Sequence, residues 1–334
     1  MSNRNSISVV SPWASIPALA GLAALFGCGQ YATSPLGATA NSKHAGGPPS
    51  SLVFDSARDG DSNNQIYIMN PDGSNQVRAT FDAGSDVDPD ISPDGKQIVF
   101  TSNQTGNNDI FLRDRSGVVT NLTNNPATDE WARWAPDGKR IVFDSNRDGG
   151  VYEIFVMNAD GSGTPRELTA PPTLDRYPSW SPDGERLLVR RGIDIYTIHA
   201  DGSGTPVQLT NEVAPSFAQM AVYSPDGRHI AFMSFREGYC SVFRMNADGS
   251  DQINLTPKDP ADAASSWCSR APSWSTDGQE IYFMSFRPST GGVNQIFVIK
   301  MDGTNLRQLT SNGGSGSPRA RDASESESGD GNAE

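Results

Sequence analysis

Three short motifs recur at near-constant intervals along this chain, and their repetition constrains the fold more than any composition value. The first is a tight turn, seen at Ser92-Pro93-Asp94-Gly95, Ala135-Pro136-Asp137-Gly138, Ser181-Pro182-Asp183-Gly184, Ser224-Pro225-Asp226-Gly227 and Ser275-Thr276-Asp277-Gly278. Proline presets φ at the first corner, aspartate caps the turn with its side chain, and glycine accepts positive φ. The second is another hairpin, Asn70-Pro71-Asp72-Gly73, Asn158-Ala159-Asp160-Gly161 and Asn246-Ala247-Asp248-Gly249, with variants starting at Asp114, His199 and Lys300. The third is a strand ending in Leu-Thr at Leu122, Leu168, Leu209, Leu255 and Leu309, with Ala79-Thr80 as its first member.

Runs such as Gln97-Ile98-Val99-Phe100 and Glu153-Ile154-Phe155-Val156-Met157 lie between the turns. They are apolar on successive positions, which is the pattern of strands buried on both faces. Four strands per repeat and a spacing of 41 to 54 residues match propeller blades. One blade cannot bury both faces alone, whereas a ring of blades can. The chain is therefore expected to be all-β, a six-bladed β-propeller of four-stranded antiparallel blades over residues 51–320. The first repeat, from Leu52 to Thr80, lacks its leading strand. Gly316-Ser317-Pro318-Arg319-Ala320 follows Thr310 at a suitable interval. That C-terminal segment is expected to supply the missing strand and close the ring. The 33 glycines and 23 prolines then serve the turns, and they exclude a helix bundle.

The composite repeat is almost complete from Trp134 to Thr169. It resembles the TolB-type, WD40-like β-propeller repeat, and the resemblance recurs six times over residues 51–320. It implies a non-catalytic binding scaffold that presents the mouth of the propeller to a protein or peptide partner in the cell envelope. TolB-type proteins carry an α/β domain before the propeller. Only a spacer is expected here, so partner contacts made through that domain are not carried over. Peptidases with related propellers need a G-x-S-x-G elbow, which is missing.

The first 27 residues read as a signal peptide: Arg4, then the apolar stretch Trp13–Gly27, too short for a membrane span. Leu25-Phe26-Gly27-Cys28 resembles the bacterial lipoprotein cleavage box, which implies lipidation at Cys28 and an extracytoplasmic protein tethered at the periplasm or cell surface. An ordinary signal peptide with an incidental cysteine is the other reading. Residues 28–50 have no apolar period and read as a flexible spacer, and residues 321–334 as a disordered acidic tail.

With 39 acidic against 26 basic residues the net charge is −13, which argues against nucleic acid as a partner. Asp86, Asp129 and Asp175 each stand six residues before the first tight turn, where ring geometry gathers equivalent positions. Asp88, Asp90 and Glu130 extend this acidic half-ring, whereas later blades carry Ala218 and Ser269. The acids either hold Ca²⁺ through oxygen ligands or pair with a neighbouring blade's arginine from the recurring S-x-R pattern, Arg58, Arg147, Arg236 and Arg287. The three histidines, His44, His199 and His229, are too scattered for a metal or nucleophilic site.

On the same face the loops carry Trp131, Arg133, Arg176, Tyr177, Phe217, Trp267 and Arg270. Aromatics interleaved with arginines make interface hot spots, or they pack beneath their own loops. Trp134, Trp180 and Trp274 are expected in the core between blades. Cys240 and Cys268 fall on one face of adjacent blades, where an oxidising compartment would join them. The alternative to a scaffold is a carbohydrate-binding or polymer-degrading propeller, a hydrolase or lyase, for which Asp88 with Asp129 is the available acid pair.

Overall fold

The computed structural model describes residues 38–40, 51–58, 63–258, 268–286 and 294–311. Among the described residues twenty-four strands form six separate four-stranded sheets, each antiparallel and each in sequence order. The first sheet holds β1 (Ala38–Ala40), β2 (Leu52–Ser56), β3 (Gln65–Met69) and β4 (Val77–Arg78). The second holds β5 (Asp86–Ile91), β6 (Ile98–Ser102), β7 (Asp109–Arg113) and β8 (Val119–Asn121). The third comprises β9 (Asp129–Trp134), β10 (Arg140–Ser145), β11 (Glu153–Asn158) and β12 (Arg166–Glu167). The fourth comprises β13 (Asp175–Trp180), β14 (Arg186–Arg191), β15 (Asp194–His199) and β16 (Val207–Gln208). In the fifth are β17 (Ala218–Tyr223), β18 (His229–Ser234), β19 (Ser241–Asn246) and β20 (Ile253–Asn254). The sixth runs through β21 (Cys268–Trp274), β22 (Glu280–Phe286), β23 (Asn294–Lys300) and β24 (Arg307–Gln308).

The recurrent turns do what their residues dictate. In the Ser-Pro-Asp-Gly turn the Gly95 amide donates to the Ser92 carbonyl at 2.8 Å, and the Asp94 carboxylate accepts from the Ser92 hydroxyl at 2.7 Å and the Lys96 amide at 3.1 Å. Gly95 takes φ 72°, open to glycine without strain. The Leu-Thr motif also has a task that the sequence does not display. The threonine hydroxyl accepts an amide near the start of its blade's third strand: Thr80 from Ile66, Thr169 from Ile154 and Thr310 from Ile296, at 2.9 to 3.0 Å. The fourth strand is only two or three residues long, so this side chain takes over where the main-chain ladder stops.

Six apolar clusters fill the spaces between blades. One joins Val53, Ile66 and Ala79 of the first blade to Ile98, Phe100 and Phe111 of the second. The ring is closed by a cluster of Leu52, Phe54, Tyr67 and Met69 of the first blade with Tyr282, Met284, Ile296 and Val298 of the sixth. Trp134, Trp180 and Trp274 are buried in such clusters, as their fixed position implied. The Trp180 and Trp274 indoles donate to the Arg133 and Val222 carbonyls of the preceding blade, each at 3.2 Å.

One expectation changes. The strand beside β2 is β1, paired as Ala38 to Phe54, Thr39 to Val53 and Ala40 to Leu52. It comes from the stretch read as spacer, whereas Gly316–Ala320, the segment expected there, lies outside the described residues. β1 sits beside β5 and β21, the innermost strands of the flanking blades. Three residues are enough to pair there, so a polar stretch with no apolar period fills the place without any signature in the sequence.

Candidate functional site

All five innermost strands from β5 to β21 carry the same defect. The register of each against its neighbour shifts after the second or third residue, as between Val87 and Asp90, and between Arg176 and Ser179. One residue in each takes a left-handed conformation: Asp88, Trp131, Tyr177, Met220 and Ala271, at φ 51° to 57°. A bulge of this kind re-aims a side chain that a regular strand would direct into the blade. Four of the five, all but Asp88, line one cavity of about 260 Å³. Trp180, Trp274 and Arg133 also line it, and it extends to the prolines of the tight turns, among them Pro136 and Pro182. Trp131 and Tyr177 meet edge to face, with ring centroids 4.7 Å apart. The sequence singled out these two residues as loop aromatics, and the structure puts them in strands. The bulge itself has no residue signature, since Asp, Trp, Tyr, Met and Ala share the position.

Arg133 stands over the Trp131 ring at 5.5 Å and donates to the main-chain carbonyls of Ala132 and Asp88 at 2.7 and 3.2 Å. Arg176 forms the hub of a neighbouring charge cluster. It pairs with Asp144 at 3.2 Å and with Glu130, and lies over the Tyr152 ring at 3.9 Å. Asp144 also accepts the Tyr177 amide at 3.0 Å, so the cluster anchors the bulge. Burial pushes the Asp144 carboxyl up to about 6, against the pull of Arg176. Asp88 is driven to about 7, again first by burial, with Arg133 opposing and Glu130 and Asp144 reinforcing.

The acidic half-ring resolves into separate pairs. Both Asp129 oxygens accept from Arg147 at 2.9 Å, and Asp175 is held by Arg191 at 2.8 and 2.6 Å. These arginines belong to the acid's own blade and not to its neighbour. The antiparallel register explains this. Ser145 lies opposite Asp129, so the arginine two residues further on curls back over its own sheet. Arg147 also covers the Phe143 and Phe155 rings at 5.2 and 4.8 Å, and its Nε donates to the Ser145 hydroxyl at 3.0 Å. Asp86 has no such partner. Among the described residues no three His, Cys, Asp or Glu side chains gather as a metal cluster.

Phe217 stacks on Phe235 at 5.7 Å beneath Arg190, whose guanidinium lies 5.2 Å from the Phe217 ring. Arg270 is in β21, opposite Met284. A disulfide joins Cys240 to Cys268, linking the fifth blade to the sixth, and the Ser269 amide donates to the Cys240 carbonyl at 2.9 Å beside it. Cys28, His44, Trp267 and Arg287 lie outside the described residues.

Fold and cavity together define a six-bladed β-propeller whose innermost strands wall an aromatic chamber. The propeller is TolB-like. It superimposes on a putative TolB from Agrobacterium tumefaciens with a TM-score of 0.62 and 25% identity, covering 74% of this chain and 88% of that one. TolB from Acinetobacter baumannii gives 0.59 and 22%, over 72% and 58% of the two chains. An oligogalacturonate lyase from Vibrio parahaemolyticus shares the fold at 0.53 and 12% identity, over 83% and 80%. In sequence, 49 residues are 39% identical to a TolB homolog from Chlorobium luteolum, 15% of this chain and 11% of that protein. The chain thus matches about a tenth of this relative's length. No family model matches.

Proposed function

We propose that this protein is an extracytoplasmic, lipid-anchored, non-catalytic binding scaffold of the cell envelope, and that its propeller cavity receives a segment of a protein or peptide partner. The observation that carries this reading is the convergence of Trp131, Tyr177, Met220 and Ala271 from four blades on one chamber. Large aromatics on a rigid frame lose little conformational freedom on binding, which is why they dominate interface energetics. The TolB-like fold supports a scaffold, and the signal-like leader and the disulfide support an oxidising, extracytoplasmic setting. The carboxylates do not favour the enzyme reading: Asp129 is tied to Arg147, so the pair it would form with Asp88 is not free to do acid–base work.

The test is cross-linked pull-down from envelope membranes with wild type, Trp131→Ala and Tyr177→Ala, after both variants are shown to keep the wild-type melting transition. A captured protein lost in both variants supports the scaffold. Capture of glycan, turnover of an envelope polymer, or protein capture indifferent to both substitutions overturns it.

A further inference from the structure

The blades repeat a small constellation on the face where the innermost strands begin. In the third blade it consists of the buried Asp129, the stacked Phe143 and Phe155, and the Arg147 guanidinium that touches all three. In the fifth, Arg236 pairs with Glu212 at 2.5 Å and covers Phe232 and Phe243 at 5.5 and 4.7 Å. In the fourth the arginine is shifted onto the strand: Arg191 holds Asp175 and lies 5.7 Å from the Tyr196 ring.

The second blade has every part but one. Asp86 is fully buried and opposite Ser102, as Asp129 is opposite Ser145. Phe100 and Phe111 stack at 5.9 Å, as Phe143 and Phe155 do. The turn after the strand has the same local geometry: the Gln104 amide donates to the Ser102 hydroxyl at 3.4 Å, and the Arg147 amide to Ser145 at 3.2 Å. Yet the residue in the arginine's place is Gln104, whose side chain is exposed. Neither oxygen of Asp86 has a hydrogen-bond partner, and no cation lies over the Phe100–Phe111 pair among the described residues.

We infer that Asp86, with the Phe100–Phe111 stack, is a recognition site for a guanidinium group, filled by an arginine side chain of a partner protein. Its sister sites show what such a pocket accepts: a flat cation that offers N–H groups to a carboxylate and lies on aromatic rings, a pair of them in the third and fifth blades and Tyr196 alone in the fourth. An ammonium group has no flat face to lay on the stack. Asp86 is not among the residues that line the aromatic chamber, so this site stands or falls separately from the reading of that chamber.

The probe is methylguanidinium chloride, read by the melting transition of the full chain against methylammonium and calcium chlorides at equal ionic strength. Wild type should show a saturable rise of a few degrees with methylguanidinium alone. Gln104→Arg, which supplies the group in cis, should start from a higher melting temperature and lose the response; Asp86→Asn should lose the response as well. The inference is overturned by no saturable rise in wild type, by an equal or larger rise with methylammonium or calcium, or by a response that survives in Gln104→Arg. Gln104→Arg keeps the test decisive even where Asp86→Asn fails to fold.

Discussion

Asp86 shows how much one residue's meaning depends on its surroundings. It shares its repeat position with Asp129 and Asp175, and all three are fully buried, but only those two have a guanidinium. Burial pushes Asp86 up to about 7, with the negative charge of Asp82 adding. Asp88 and Glu153 are also raised to about 7 and Asp144 to about 6, each first by burial. Unfolded, these groups titrate near 3.8 to 4.5. Between those values and about 7 the folded chain therefore binds more protons than the unfolded one, and its stability falls as pH rises through that window. The turn aspartates act in the opposite sense. Asp94 and Asp183 are held below their ordinary value by the serine hydroxyls of their turns, so their contribution is lost as pH falls through the acid range. Melting temperature should therefore peak on the acid side of neutrality and be higher at pH 5.5 than at pH 8. Asp86→Asn should raise it at pH 8 and change it little at pH 5.5. A flat profile between those two values in wild type would remove this account. The sequence identified the acids by their spacing, but not their pairing, because the arginine that answers Asp129 is 18 residues away in the same blade and is brought back only by the hairpin.

At the scale of the element, the S-x-R hairpin is a structural device. In the third and fifth blades the arginine satisfies a buried acid, covers an aromatic pair and fixes a serine, which gives the motif a structural reason to recur. Arg147→Ala leaves Asp129 buried and unpaired, and the expected loss is about 3 kcal/mol, read by denaturant unfolding. Arg147→Lys should recover only part of it, because an ammonium cannot reach both the carboxylate and the ring faces. Cys240–Cys268 is the other connection at this scale. It spans 28 residues between a hairpin of the fifth blade and the first strand of the sixth. Closing such a loop removes freedom from the unfolded chain worth about 3 to 4 kcal/mol. Reductant should lower the melting temperature by several degrees, and Cys268→Ser should remove that sensitivity. The bulges belong to this scale too and were hidden from sequence reading. The innermost strands Asp129–Trp134 and Asp175–Trp180 mix charged, polar and aromatic residues, so nothing in them marks a strand whose third residue turns toward the chamber, and Trp131 and Tyr177 read as loop aromatics.

The ring is the level at which the sequence was most legible, because a propeller writes its architecture into periodic turns and each blade is checked against five others. The join is where periodicity gives no guidance: the closing strand is a single event, and two polar stretches near the two ends of the chain could each serve. The structure assigns the place to Ala38–Ala40. A three-residue strand contributes few hydrogen bonds of its own, but its loss uncovers the main-chain edge of β2, where Leu52, Val53 and Phe54 are essentially fully buried. Exposed edges of that kind invite pairing with another chain. A chain beginning at Ser51 should therefore melt several degrees below the full chain and form concentration-dependent oligomers on heating, whereas replacement of Thr39 by proline, which disrupts pairing with Val53, should reproduce the effect within the full chain. Calorimetry across a tenfold range of protein concentration separates these outcomes. Should both variants melt as the full chain does, the join belongs to another segment, and the claim that the N-terminal stretch closes the ring is wrong.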